Sequence, residues 1–257
     1  MQIIGHRGAK GLAPENTVAG IRAALKRQVD WIEFDVRVTH DGALVVVHDR
    51  TLLRIAKQLH KVRHYTLAQL KAIATQSGEP IPTFEEIMAA IGTKAKIDIE
   101  LKEKGAAPQV IAEVNRQVAA GRSYDDFLVT SLRPRLLREM QRLEPRIHVG
   151  LLQGAWPLAF LTLPGLRLSA VGFYHLVAPR AAIKLAKRAG LWTFVFTVNQ
   201  RTEATHFEQL GVDALITDVP QQFKPLWPWL LGSLAAGLVV ASLFAVIAYF
   251  LWQVLHL

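Results

Sequence analysis

Short apolar, β-branched runs alternate with longer amphipathic stretches from residue 3 to residue 217, and this alternation limits the fold more than any other feature of the chain. Strand-length runs lie at 3–5, 31–36, 43–48, 96–102, 127–130, 147–151, 169–173, 193–198 and 214–217. Helical patterns fill the gaps at 15–27, 67–75, 83–91, 107–120, 135–143, 179–189 and 202–210. Pro14 suits a first helical turn, and Gly190 and Gly211 suit helix C-termini. Runs bare of polar residues, such as Phe194-Val195-Phe196, suit strands buried on both faces. Repetition of this kind predicts a parallel α/β fold closed as a barrel. Nine strand candidates exceed the eight staves of such a barrel, so one of them lies outside it.

The last part of the chain is different in kind. From Pro225 to Leu257 there is no Asp, Glu, Lys or Arg, although the whole chain of 257 residues carries 30 Lys+Arg against 21 Asp+Glu and a formal charge of +9. This divides the chain into a charged domain, 1–224, and an apolar segment, 225–257. Residues 229–252 as a helix would reach about 36 Å, more than the ~30 Å hydrocarbon core of a bilayer. Trp227 and Trp229 stand at one end and Tyr249 and Trp252 at the other, as interfacial aromatic belts do. The segment therefore reads as a single C-terminal transmembrane helix in contact with membrane lipid. The first residues, Met1-Gln2-Ile3-Ile4-Gly5-His6, carry no basic and then apolar leader pattern. Lys224 precedes the span and only His256 follows it, so positive-inside reasoning expects the charged domain in the cytoplasm. With no cysteine, a disulfide framework, a thiol nucleophile and a zinc–cysteine site are excluded.

Ionisable residues concentrate where a buried strand should avoid them. In Trp31-Ile32-Glu33-Phe34-Asp35-Val36, the two carboxylates leave one face of the strand, and Asp98, Glu100 and Lys102 share a face in the same way. Charges on the outer, helix-covered face would be costly, so the set is expected inside, near the C-terminal mouth where barrels build their sites. Asp41-Gly42 is a two-residue hairpin signal, and pairing outward from it sets Asp35 opposite His48. Two parallel staves would also bring both residues near strand C-termini. At the front of the chain, Gly5-His6-Arg7-Gly8 ends the first strand; its glycines permit close backbone approach, and Arg7 can fork onto a phosphate. Several carboxylates around one point call for a cation, and an all-oxygen set suits Mg²⁺ or Ca²⁺. Such an ion beside Arg, Lys and two histidines is equipment for hydrolysing a phosphate ester.

Further motifs extend this set. His6-Arg7-Gly8, Pro14-Glu15-Asn16-Thr17, Glu33-Phe34-Asp35 and His48-Asp49-Arg50-Thr51-Leu52 with Arg54 occur in order. They are followed by Pro82-Thr83-Phe84-Glu85-Glu86, Ile99-Glu100-Leu101-Lys102, Thr197-Val198-Asn199 and Ile216-Thr217-Asp218-Pro220. Across residues 3–220 this series resembles the glycerophosphodiester phosphodiesterase family. The resemblance implies a distorted TIM (β/α)8 barrel that cleaves glycerophosphodiesters to glycerol phosphate and an alcohol. It implies metal ligation by Glu33, Asp35 and Glu100, acid–base roles for His6 and His48, and places for Arg7 and Lys102 near the phosphate. Phe196 stands where the family usually has a tryptophan that shapes the substrate site. Asp98 stands where Asn is frequent, and the segment after Arg54 lacks the usual glycine-rich turn.

That segment instead carries Lys57, His60, Lys61, Arg63 and His64, which read as a solvated helix or loop, with an anionic lipid surface as the alternative. Trp156 to Leu161 reads as a helix packed on the barrel, or as a lipid contact. Membrane proximity accounts for the +9 charge without nucleic acid, and no protein partner is implied. The expected activity is metal-dependent hydrolysis of glycerophosphodiesters at a membrane surface. A lysophospholipase D acting on lysophospholipids is the nearest alternative, and a catalytically silent membrane-bound phosphodiester sensor is the alternative from another class.

Overall fold

The computed structural model describes residues 1–153 and 165–224. The expected transmembrane helix within 225–257 and the 156–161 segment lie outside the described residues; among those described, no helix is long and apolar enough to cross a membrane.

Eight strands form a closed parallel barrel. They are β1 (Gln2–Gly5), β2 (Trp31–Val38), β6 (Lys96–Leu101), β7 (Phe127–Ser131), β8 (His148–Gln153), β9 (Ala170–Tyr174), β10 (Trp192–Phe196) and β11 (Ala214–Thr217). Each pairs with the next in that order, and β11 closes on β1 with Gln2 beside Ala214 and Gly5 beside Thr217. Between β2 and β6 the chain makes an excursion that includes β3 (Leu44–Val46), β4 (Thr51–Leu52) and β5 (Gln58–Lys61). The ninth strand candidate is thus β3, which is antiparallel to β2 and outside the barrel count. On β2, β1 reaches only Trp31 and Ile32, which leaves the upper edge of β2 to β3.

The helices are α1 (Val18–Lys26), α2 (Leu53–Ala56), α3 (Leu67–Lys71), α4 (Phe84–Ile91), α5 (Ala107–Ala119), α6 (Pro134–Leu143), α7 (Arg180–Arg188) and α8 (Arg201–Gln209). α1 starts later than its periodicity predicts. Thr17 is its N-cap, accepting from the Gly20 amide at 3.0 Å, so Pro14 lies outside the helix and Glu15 and Asn16 are free to turn elsewhere. Gly190 and Gly211 follow the ends of α7 and α8 at φ 74° and 77°, as expected. The basic stretch after Arg54 is neither plain loop nor helix: Gln58–Lys61 pairs with β4 as a small hairpin. Leu52, Ala56 and Val62 beside it join Val45, Val47, Leu70 and Ile81 in a separate cluster that holds the excursion together.

Alternation on the strands sorts the interior. Ile32, Phe34 and Val36 of β2, with Ile97, Ile99 and Leu101 of β6, face the helices; the Phe34 and Phe84 rings meet at 5.9 Å. The opposite faces fill the barrel. Its N-terminal half is apolar, built from Ile4, Trp31, Leu128, Ala170, Phe194 and Ala214 among others. Towards the C-terminal ends the inward residues become Glu33, Asp35, Asp98 and Glu100, all buried.

Candidate active site

Register places the carboxylates. β2 and β6 pair with Glu33 beside Asp98 and Asp35 beside Glu100, so four acidic side chains stand in two adjacent rows at the C-terminal rim. One oxygen from each of Glu33, Asp35 and Glu100 lies within 4.8 Å of the others. Lys102, just past β6, places Nζ 2.9 Å from Asp35 Oδ1 and 2.5 Å from Glu100 Oε1. Arg7, at φ 49°, donates its amide to Glu33 Oε2 at 2.8 Å. Its guanidinium lies 3.3 Å from Asp35 and donates to Glu15 at 2.8 Å. Asn16 donates to Asp35 Oδ2 at 2.8 Å and accepts from the Asp35 amide at 3.3 Å. The close approach at Gly8 is to the chain's own backbone, since a Cβ there would fall 2.5 Å from Gly20 C.

The two histidines arrive by different routes. His6 extends β1 by one residue, and its Nδ1 is 2.6 Å from Asp218 Oδ1. Asn199 donates to the other Asp218 oxygen at 3.0 Å. This partner assigns the proton to Nδ1 and leaves Nε2, 4.0 Å from Glu33 Oε2, without a proton and facing the carboxylate cluster. His48 does not pair with Asp35 as the two-residue hairpin predicts. The loop holds three residues, His40-Asp41-Gly42, with Gly42 at φ 85° and the Thr39 amide bonded to Ala43 O. This slips the register by one, so Val36 faces Val46 and Val47 bonds back to Asp35. His48 reaches the site because the chain leaves the sheet after β3. Arg37 pins the departure by donating to His48 O at 3.0 and 2.7 Å. His48 Nδ1 lies 2.8 Å from Asp49 Oδ1, which again frees Nε2. Arg54 ties Asp49 to Glu15, at 2.6 Å to each.

His6, Glu33, His48, Glu100 and Lys102 all line one cavity of about 150 Å³, whose apolar wall includes Phe196 and Leu152. The candidate site residues His6, Arg7, Glu33, Asp35, His48, Glu100, Lys102 and Phe196 therefore converge on one rim. Asp218 and Asp49, which hold the two histidines, and the Glu15–Asn16 brace are members of the site that sequence reasoning did not assign. Their signal was their presence in the quoted motifs.

The charges are unequal. Burial first, and then Asp35, Glu100 and Asp98, push Glu33 well above the usual carboxylate range. Burial and then the Asp35 charge lift Glu100 to about 7, and burial lifts Asp98 to about 8 although Thr130 donates to it at 2.7 Å. Burial acts upward on Asp35 too, but Lys102, Arg7 and His48 outweigh it and hold the group down. Burial lowers both His6 and His48. A cluster whose carboxylates resist ionisation is short of positive charge. Glu33 Oε1 and Asp98 Oδ2 are buried without a hydrogen-bond partner. An orphaned carboxylate oxygen within an all-oxygen set fits a hard divalent cation.

A parallel barrel with a buried carboxylate cluster and two carboxylate-oriented imidazoles at its C-terminal rim defines a hydrolytic barrel enzyme, equipped for phosphoester chemistry. Comparison with known proteins narrows the class. Residues 6–222 match the glycerophosphoryl diester phosphodiesterase family, and the chain belongs to that family. A glycerophosphodiester phosphodiesterase of Caldanaerobacter subterraneus subsp. tengcongensis is 29% identical, over 85% of this chain and 94% of its own length. The structure of an Oleispira antarctica phosphodiesterase, described in complex with the product sn-glycerol-3-phosphate, superposes with a TM-score of 0.77 at 28% identity. It covers 86% of this chain and 94% of that one. A Thermotoga maritima glycerophosphodiester phosphodiesterase, 24% identical, shares the fold with a TM-score of 0.75 over 87% of this chain and 96% of its own.

Proposed function

We propose that this enzyme hydrolyses glycerophosphodiesters to glycerol phosphate and an alcohol at a membrane surface. The observation that carries the reading is the pair of imidazoles, each with Nδ1 held by its own carboxylate, beside a buried cluster of acids. Glu33, Asp35 and Glu100 would hold one divalent cation, Mg²⁺ or Ca²⁺. When bound, the ion supplies charge stabilisation for the phosphoryl oxygens. One of His6 and His48 takes the proton of the attacking hydroxyl at Nε2, and the other gives a proton to the leaving alcohol. Lys102 balances phosphate charge from the β6 side of the cavity and Arg7 from the β1 side, where Glu15 braces it. Phe196 closes the apolar wall against which the glycerol carbons lie. The product glycerol phosphate seen with the Oleispira relative supports this substrate class.

Residues 225–257 anchor the chain as a single C-terminal transmembrane helix, distinct from the 1–224 catalytic domain, which faces the cytoplasm. The anchor favours a second substrate reading, lysophospholipids, because it would hold the rim near lipid.

The test is turnover of glycerophosphocholine and lysophosphatidylcholine by the full chain with Mg²⁺ or Ca²⁺. Activity should vanish with a chelator and return with the ion. His6→Ala, His48→Ala and Glu100→Ala should each lower turnover by about 10²-fold or more with the fold intact. Full activity in excess chelator would refute the metal-dependent reading, and ligand binding without product release would revive the silent sensor.

A further inference from the structure

A second cavity, of about 560 Å³, opens beside the catalytic one and shares Lys102 with it. Arg37, Arg50, Arg63, Lys104 and Arg133 line it, and Glu103 is the single carboxylate in its wall. These cations come from distant parts of the chain. Arg37 is on β2, Arg50 and Arg63 flank the β4–β5 hairpin, and Lys104 and Arg133 follow β6 and β7. The excursion and the barrel rim therefore face each other across the cavity with charge of one sign.

Part of that charge is already balanced. Arg37 lies 3.6 Å from Glu103 and is further committed to the His48 carbonyl, while Lys102 is held by Asp35 and Glu100. Arg50, Arg63, Lys104 and Arg133 have no carboxylate within ion-pair distance among the described residues. Four uncompensated cations around one concavity attract anions and repel one another until an anion arrives. Three of them are guanidiniums, whose forked donors match phosphate oxygens. Of the basic residues at 57–64, only Arg63 lines this cavity, so the site is set by the fold rather than by the run of charge.

We propose that this cavity is the subsite for a second phosphate group of the substrate, carried on the alcohol that hydrolysis releases. Lys102 borders both cavities, so a phosphodiester at the acidic cluster presents its alcohol portion along this wall. The preferred substrate is then a glycerophosphodiester whose alcohol is itself phosphorylated. This inference rests on the phosphodiesterase reading above.

A matched pair tests it: glycerophosphoinositol and glycerophosphoinositol 4-phosphate, which differ by one phosphate. With the full chain and its divalent ion at low salt, the phosphorylated compound should have a KM lower by about tenfold or more, an advantage that shrinks as salt is added. The exposed double variant Arg63→Gln/Arg133→Gln should abolish that advantage while kcat/KM for glycerophosphoinositol is unchanged. Equal KM values in the unaltered chain, or an advantage that survives the double variant, overturn the proposal while leaving the phosphodiesterase reading intact. So does inhibition of both reactions by phosphatidylglycerol vesicles, but not phosphatidylcholine vesicles, that the double variant relieves without change in the KM ratio. That result assigns the cations to a lipid surface. No turnover of either inositol diester by a chain that hydrolyses glycerophosphocholine overturns this proposal alone, and no turnover of any of the three overturns the phosphodiesterase reading with it.

Discussion

His6 and His48 share a chemistry but not an environment. Asp218, which orients His6, is bracketed by Asn199, and its carboxyl, although burial acts upward on it, is held at about 2 by the hydrogen bond and charge of His6. Asp49, which orients His48, sits at a more open edge and also binds Arg54. Water can replace a lost partner at His48 more readily than at His6. Asp218→Asn should therefore lower kcat by about 10²-fold or more by presenting the wrong tautomer, and Asp49→Asn by a smaller factor, about tenfold. Steady-state kinetics with a circular dichroism check of folding measures both; equal losses would refute the distinction. Glu33, Asp35, Glu100 and Lys102 were legible in the sequence because charge on a buried-strand pattern is anomalous; His6 was legible as the end of the first strand, and His48 was singled out through a hairpin pairing that the structure replaces. Asp218 was not assigned because its partner lies 212 residues away, and nothing in a local pattern encodes that distance.

Among the elements, capping follows local rules closely. Thr83 and Glu86 form a reciprocal box at the start of α4, and Thr66 and Gln69 do so at α3. The departures come where tertiary bonds compete with local ones, as at Asn16, which leaves the helical run to bind Asp35. The 39–43 hairpin shows how one loop residue decides a strand's register. At the N-terminal end of the barrel, Asp213 accepts from the Thr193 amide and hydroxyl at 2.9 and 2.8 Å and from Lys187 at 2.7 Å, joining β11, β10 and α7. Burial acts upward on its carboxyl, but these donors outweigh it and lower the pKa. A carboxylate depressed in the folded state stabilises above its unfolded pKa, and that contribution is lost as pH falls through the folded value. Asp213→Asn should thus cost about 1 kcal/mol at pH 7, discounted for partial exposure. The difference from the unaltered chain should fade below about pH 4. Urea melts at several pH values check this, and a pH-independent difference would contradict it.

In the whole molecule, eight parallel pairings must close at once, so interior volume is shared among strands. Gly172 on β9 leaves the space that the Phe194 ring of β10 fills: a Cβ there would lie 2.4 Å from Phe194 Cε2 and 2.9 Å from Leu152 Cδ2. Gly172→Ala should lower stability by about 1–3 kcal/mol through overpacking, seen as a lower Tm. Phe194→Leu should recover part of that loss in the double variant. Additive losses would show that the two sites are not coupled.

By itself the sequence determined the alternation of strands and helices, the number of candidate staves to within one, and which strand faces carry charge. Those properties follow from period-two and period-3.6 patterning, which is local. Which stave lay outside the barrel, the slipped β2–β3 register, the carboxylates that orient His6 and His48, and the basic cavity beside Lys102 were decided only by tertiary structure. The β2–β3 register and the turn of Asp49 onto His48 depend on backbone geometry that the local pattern leaves open. The Asp218–His6 pair and the basic cavity depend on distant chain segments meeting at the rim, and the free energy of such a meeting belongs to the pair and not to either segment.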